Sequence, residues 1–324
     1  MSKRSLIATT LAAIVGAGAL SGPRAAAPAN AATPYKIVLI AGIASDAFYI
    51  TMNHGAQAEA QKDGATVQFS GSPAAFSPST QLPYLNAALA QKPDVLLIAP
   101  TDKLALQAPI ARAVAEHIPV ILVDTTLADP SIAVTTISSD NIAGGVKVAD
   151  ALAAATGKTG KVAIVSVAPG VSTTDERVAG FDRELGKYGA MKNLGVTFTG
   201  DNPTRANTVT KGLVTANRDL AGVFATNVVT GGGVTAAARE LGLSGKLKLV
   251  EFDAEPAQVE AVKSGTISAL VAQDPYHIGE LAVRYAVQYL KGKRDFAKHY
   301  GTGEAIITKD NVDSADVKNY LYAK

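Results

Sequence analysis

Seven short apolar runs recur along the chain from residue 36 onward: KIVLIA (36–41), DVLLIA (94–99), PVILV (119–123), KVAIVSV (161–167), AGVFA (221–225), LKLVEF (247–252) and ISALVA (267–272). Each is rich in β-branched residues and nearly free of polar alternation, the pattern of a strand covered on both faces. The stretches between them carry helical spacing. In 47–63, Met52, Ala56 and Ala60 fall every fourth residue, and Gly64 supplies a stop. In 80–91, Leu82, Leu85 and Leu89 share a face, with Pro83 expected in the first turn, where its missing N–H does little harm. In 103–116 the expected face is Leu104, Ala108, Ala111 and Ala115. Strand and helix alternate every 25–30 residues or so, which predicts α/β architecture with parallel sheets. The runs are too many for one open sheet. The break is expected near ISSDNIAGG (137–145), where a strand signal passes into polar residues and glycines, giving two α/β lobes.

The N-terminus stands apart from this pattern. Lys3 and Arg4 precede the apolar run LIATTLAAIVGAGAL (6–20), and small residues around Ala31 follow, so residues 1–31 read as a secretory signal peptide. The run is shorter than the ~20 residues of a membrane span. The chain has 30 basic and 28 acidic residues, and residues 1–31 hold three of the basic and none of the acidic ones. Removal leaves 27 against 28, with no Lys/Arg cluster, and nucleic acid is not expected as a partner. Absence of Cys excludes disulfides and a lipid anchor at Cys. The four His (54, 117, 277 and 299) are scattered, so neither a metal site nor a cofactor is expected. A soluble periplasmic or secreted protein remains.

Ligands of open parallel sheets bind beyond the C-terminal ends of the strands. The residues that follow the expected strands include Asp46, Phe48 and Tyr49, then Asp124, Arg177, Asn227, Asp253 and Gln273. Carboxylates accept, arginine donates and amides do both, which matches the hydroxyls of a small sugar or polyol. An unpaired buried hydroxyl costs about 1–3 kcal/mol. Aromatic rings can cover the C–H face of a sugar. Each residue taken singly has an ordinary alternative. Phe48 and Tyr49 can be packing residues, Asp46 and Asn227 helix caps, Asp124 and Asp253 loop acids, and Arg177 part of a surface ion pair. Enzyme signatures are weak. TGGGVTAA (230–237) is not G-x-G-x-x-G, and no G-x-S-x-G elbow occurs.

Taken in order, FYITMNHGAQAEA, DVLLIAPTD, IPVILVD, SSDNIAGG, ERVAGF, VFATN, VEFDAEP and VAQDPYHIGELAV resemble the exported sugar-binding proteins of the ribose-binding type, across residues 36–310 or so. The resemblance implies two Rossmann-like lobes, residues 35–139 plus 275–300 and residues 140–273 plus 301–324. They would be joined by a three-strand hinge near Ser138–Asn141, Gln273–Pro275 and Tyr300–Glu304. It implies a monomer that binds a monosaccharide or polyol in the cleft through the eight residues above and serves the membrane permease of an ABC importer. A sensor, chemoreceptor-coupled or quorum-signal binder of the same fold is the alternative. The chain departs from the family pattern at several places. Thr125 stands where ribose binders carry Arg, Asp46 and Ala99 stand where they carry Asn, and Asp201 stands where the second lobe donates an aromatic.

Overall fold

A computed structural model describes residues 34–73 and 75–322; the leader expected over 1–31 lies outside them. The chain order is β1 (Tyr35–Ile40), α1 (Ala47–Asp63), β2 (Ala65–Ser70), α2 (Pro78–Ala90), β3 (Val95–Ile98), α3 (Gln107–Ala115), β4 (Val120–Val123) and β5 (Thr135–Ser139). There follow α4 (Asn141–Thr156), β6 (Gly160–Ser166), α5 (Ser172–Leu185), β7 (Met191–Phe198), α6 (Pro203–Ala216), β8 (Leu220–Ala225), α7 (Val228–Glu240), β9 (Lys248–Phe252), α8 (Pro256–Lys263), β10 (Ala269–Gln273), α9 (Pro275–Leu290), β11 (His299–Thr302) and β12 (Glu304–Ile307).

The strands form two six-stranded sheets, in the orders β2-β1-β3-β4-β5-β11 and β7-β6-β8-β9-β10-β12. All pairings are parallel except that of β10 with β12. Each sheet therefore has the doubly wound order 2-1-3-4-5 plus one added edge strand, and its switch point lies between the first and third strands of the set. Apolar side chains from both faces of each sheet meet flanking helices: Leu39, Leu97 and Val123 on one face of the first sheet, Ile40, Ile98 and Leu122 on the other. The second sheet repeats this with Val223 and Leu249 opposite Phe224 and Val250. The chain passes between the sheets three times, after Ser139, after Gln273 and between Thr302 and Glu304.

Two helix pairs fix the edges of the space between the lobes. α1 packs on α9, and α4 on α5, each pair crossing at glycines. A Cβ at Gly55 or Gly279 would collide with the carbonyl oxygen of Tyr276 or Met52, and one at Gly145 or Gly180 with that of Arg177 or Ile142. Backbones approach this closely only without a side chain. The first crossing sets the position of Phe48 and Tyr49 at the start of α1, the second that of Arg177 on α5.

The structure corrects three local expectations. Pro83 lies inside α2, because Ser77 caps that helix and Pro78 opens it. It is tolerated there because both Pro83 and Ser79, whose carbonyl loses its helix donor, are exposed. α3 starts at Gln107 and buries Leu106, Ile110 and Ala113, not the alanine face, while Leu104 is 69 % exposed. Asp102 causes the late start, since its Oδ1 accepts from the N–H groups of Leu104 and Ala105 and holds a separate turn. Finally, five strands lie beyond the seven apolar runs: β5, at the strand signal before residue 140, and β2, β7, β11 and β12.

Candidate functional site

Asp46, Phe48, Tyr49, Asp124, Arg177, Asn227, Asp253 and Gln273 all line one cavity between the sheets, of about 440 Å³ with part of it open to solvent. Phe76, Thr173, Thr174 and Asp201 line it as well.

The first lobe contributes an acid and an aromatic pair. Asp46 caps α1, its Oδ1 accepting from Phe48 N–H at 2.8 Å. Phe48 and Tyr49 meet edge to face at 5.1 Å between ring centres. Both are buried, so the packing reading holds for most of their area, and each still lines the cavity. Tyr49 Oη donates to Asp124 Oδ2 at 2.6 Å. Gln81, fully buried on α2, ties the ends of β1 and β3 together at the switch point. Its Nε2 donates to Ala41 O and Ala99 O, and its Oε1 accepts from Thr101 N–H and Oγ1–H.

The second lobe contributes the cation. Arg177 is 3 % exposed, far from a surface ion pair. Its Nε donates to Asn141 Oδ1 at 2.9 Å and its Nη1 to Thr226 O at 2.7 Å, with the guanidinium carbon 3.9 Å from the centre of the Phe252 ring. These contacts lock the planar fork and leave its Nη2 group without a protein acceptor among the described residues. Asn227 is indeed a helix cap, in a capping box with Thr230, and its Nδ2 donates to Asp201 Oδ1 at 2.8 Å. Asp253 accepts from Val228 N–H at 3.0 Å, Gln273 Nε2 at 2.7 Å and Tyr322 Oη at 2.8 Å.

Asp124 and Asp253 are counterparts. They follow β4 and β9, which hold the same place in their sheets, and both have positive φ, 62° and 79°. In each, the backbone N–H donates to the neighbouring strand, to Ile137 O and Val271 O. Left-handed backbone at a residue other than glycine costs of order 1–3 kcal/mol and collects at functional sites. Here it turns both acids toward the cavity.

Four carboxyl groups and one guanidinium thus line the same cavity. Burial, and then the charge of Asp253, pushes the Asp46 carboxyl up to about 8. Burial raises Asp124 to about 6, against the pull of the Tyr49 hydroxyl and of Arg177. Asp201 is raised too, chiefly by burial. Gln273 Oε1 is buried without a hydrogen-bond partner among the described residues. The cavity is rich in acceptors that need donors, and uncharged hydroxyls supply them without adding charge. Among the described residues no group of His, Asp and Glu side chains could hold a metal ion.

Residues 37–294 match the family model described as a periplasmic binding protein domain. The chain belongs to the periplasmic binding protein family. It is 32 % identical over 293 residues to the ribose import binding protein of Salmonella typhimurium, covering 89 % of this chain and 95 % of that one. The Bacillus subtilis ribose import binding protein is 31 % identical, with coverage of 90 % and 93 %. Among solved structures, a solute-binding protein of an ABC transporter from Agrobacterium vitis, bound to α-D-tagatopyranose, superimposes with a TM-score of 0.87 at 40 % identity, covering 90 % of this chain and all of that one. The two-lobed α/β architecture is that of the sugar-binding members of the family, which are receptors and not enzymes. No helix among the described residues is long and apolar enough to cross a membrane.

The lining residues that the sequence did not assign to the site are Val167, Val171, Thr173 and Thr174, which flank the start of α5, and Phe76 and Asp201. Phe76 and Asp201 come from elsewhere. They follow β2 and β7, the outer strands that carry no continuous apolar run. The resemblance puts an aromatic of the second lobe at the place of Asp201; in the structure a ring comes from Phe76 of the opposite lobe, which lines the cavity.

Proposed function

We propose that the chain is an exported receptor that closes its two lobes around a small sugar or polyol and delivers it to the permease of an ABC importer. The observation that carries this reading is the cavity itself. Acids, an amide and two buried aromatics of the first lobe and its crossing strands face an arginine, an asparagine and two acids of the second. Asp124, Asp201 and Gln273 accept from ligand hydroxyls in this reading, Arg177 and the protonated Asp46 donate, and Phe48, Tyr49 and Phe76 cover the apolar face. Asp253 and Asn227, held by protein partners, shape the second wall. One lobe comprises residues 35–139 with the segment from 275 through β11, the other residues 140–273 with β12 and the C-terminal tail.

Hinge closure is the established behaviour of periplasmic binding proteins. Bonds across the cavity rim support a closed arrangement here: Lys103 Nζ to Asp175 Oδ2 at 3.0 Å, Lys103 N–H to Gly170 O at 3.3 Å, and Thr126 N–H to Ser172 Oγ at 2.9 Å. A solute that touches both lobes favours this state, because only there are all its hydroxyls paired. The N-terminal sequence supports export to the periplasm, and the protein would act there as a monomer. A thermal-shift screen against D-ribose, D-arabinose, D-fucose, D-tagatose, D-allose and xylitol tests the reading. At 100 times its Kd a solute adds about 2.7 kcal/mol to stability, a rise of several degrees. No shift with any of the six would overturn it.

A further inference from the structure

Tyr322 lies two residues from the chain end, 49 residues beyond Gln273, and nothing in the strand pattern points to it. It is nevertheless buried in the first lobe's core cluster, while its backbone N–H donates to Ala254 O in the second lobe. Its hydroxyl donates to Asp253 Oδ1 at 2.8 Å and accepts from Gln273 N–H at 3.3 Å. Its ring meets Phe48 edge to face at 5.9 Å. The arrangement repeats the one around Tyr49, which meets Phe48 edge to face and donates to Asp124 Oδ2 at 2.6 Å. Phe48 is thus flanked by two tyrosines, each holding one of the two counterpart acids.

We propose that Tyr322 is a positioning residue of the solute site, through which the C-terminal tail fixes the Asp253 carboxylate beside Gln273 and braces the Phe48 ring. This rests on the sugar-receptor reading for its consequence in binding, but not for its geometry. A carboxylate on a left-handed residue has freedom to rotate about its side-chain torsions. Three donors from α7, β10 and the tail remove that freedom, and the tail donor is the one that spans both lobes. The Tyr322 hydroxyl stays protonated throughout, since burial and then the Asp253 charge raise it well above its ordinary range.

The test compares Tyr322→Phe with wild type in the mature chain. Calorimetric titration with D-ribose, D-arabinose, D-fucose and D-tagatose should show roughly ten-fold weaker binding. The ratio of affinities among the sugars should also change, which a merely destabilised fold would not produce. Tyr320→Phe, in the same tail but away from the acids, should bind as wild type does. A crystal structure of Tyr322→Phe without solute should place the Asp253 carboxylate away from Gln273 Nε2. That readout decides the inference even if none of the four sugars binds, an outcome that would count against the sugar reading alone. An Asp253 carboxylate unmoved from Gln273 in the variant would overturn the proposal, as would affinities within two-fold of wild type with unchanged ratios.

Discussion

Arg177 joins the fold to the solute site, so its replacement separates two quantities. The side chain donates from Nε to Asn141 Oδ1 and from Nη1 to Thr226 O, and its guanidinium carbon lies 3.9 Å from the Phe252 ring centre. Arg177→Ala strands both acceptors in the interior, at about 1–3 kcal/mol each, and loses a stacking contact of about 0.5–2 kcal/mol. The expected stability loss is on the order of 3–5 kcal/mol, read by urea denaturation. Asp124, which the arginine charge holds down, should titrate higher still. Arg177→Lys keeps the charge but cannot reproduce the planar fork, so it should lose less stability. The two variants part company in binding. A charged donor to a ligand hydroxyl contributes about 1.5–3 kcal/mol, or roughly 10–150-fold in Kd. Calorimetric titration of D-tagatose into folded Arg177→Ala should show at least the lower end of that loss, and Arg177→Lys, which keeps a charged donor, a smaller one. Wild-type affinity in folded Arg177→Ala would remove Arg177 from the site and leave it a structural residue.

The same geometry carries further outcomes. Asp46 holds its proton to about pH 8 when folded, against 3.8 as its ordinary value. Its contribution to stability is complete below about pH 4 and is lost as pH rises toward 8, by at most ~1.4 kcal/mol per unit. Asp46→Asn keeps the helix cap, so thermal melts across pH 5–8 should show a flatter decline and a higher Tm at pH 8; an unchanged slope contradicts the burial of this acid. Gly145→Ala forces a methyl against the Arg177 carbonyl and should cost about 1–3 kcal/mol while weakening sugar binding, whereas a neutral effect in both assays would show that the α4–α5 crossing does not place Arg177. Lys103→Ala removes an ion pair across the rim whose members are 37 % and 34 % exposed, so the closed state should lose only about 0.2–1 kcal/mol and Kd should rise less than about five-fold. A larger rise would mean that Lys103 contacts the solute.

The limits of sequence reading in this chain have a common cause. Central strands such as β1, β3, β4 and β8 are covered on both faces and appear as unbroken apolar runs. β2 alternates half-buried and exposed positions, and β7 does so around Gly195, so neither carries such a run. β11 and β12 are four-residue edge strands with polar or small residues at most positions. Phe76, beyond the C-terminal end of β2, stays hidden with that strand, and Asp201, after β7, is singled out only by the family resemblance, although the rule that finds Asp124 and Asp253 applies equally at both. The acids and Arg177 are legible because topology delivers strand ends to the cleft. How each is held is not: the edge-to-face stack of Phe48, the Tyr49 and Tyr322 hydroxyls and the Gln81 bridge all join residues distant in sequence. Lone aromatics and glutamines carry no periodic signal that would announce such contacts.

The central claim is that the two lobes hold one neutral, hydroxyl-rich molecule between the acids of the first and the arginine of the second. A crystal structure of the mature protein grown with D-tagatose, or with whichever sugar of the panel raises Tm most, tests it most directly. The account predicts ring hydroxyls within hydrogen-bonding distance of Asp124 and of Arg177 at once, with Phe48 or Phe76 against the sugar face. A sugar seated outside the cleft, or one bonded to a single lobe with Arg177 untouched, would contradict it.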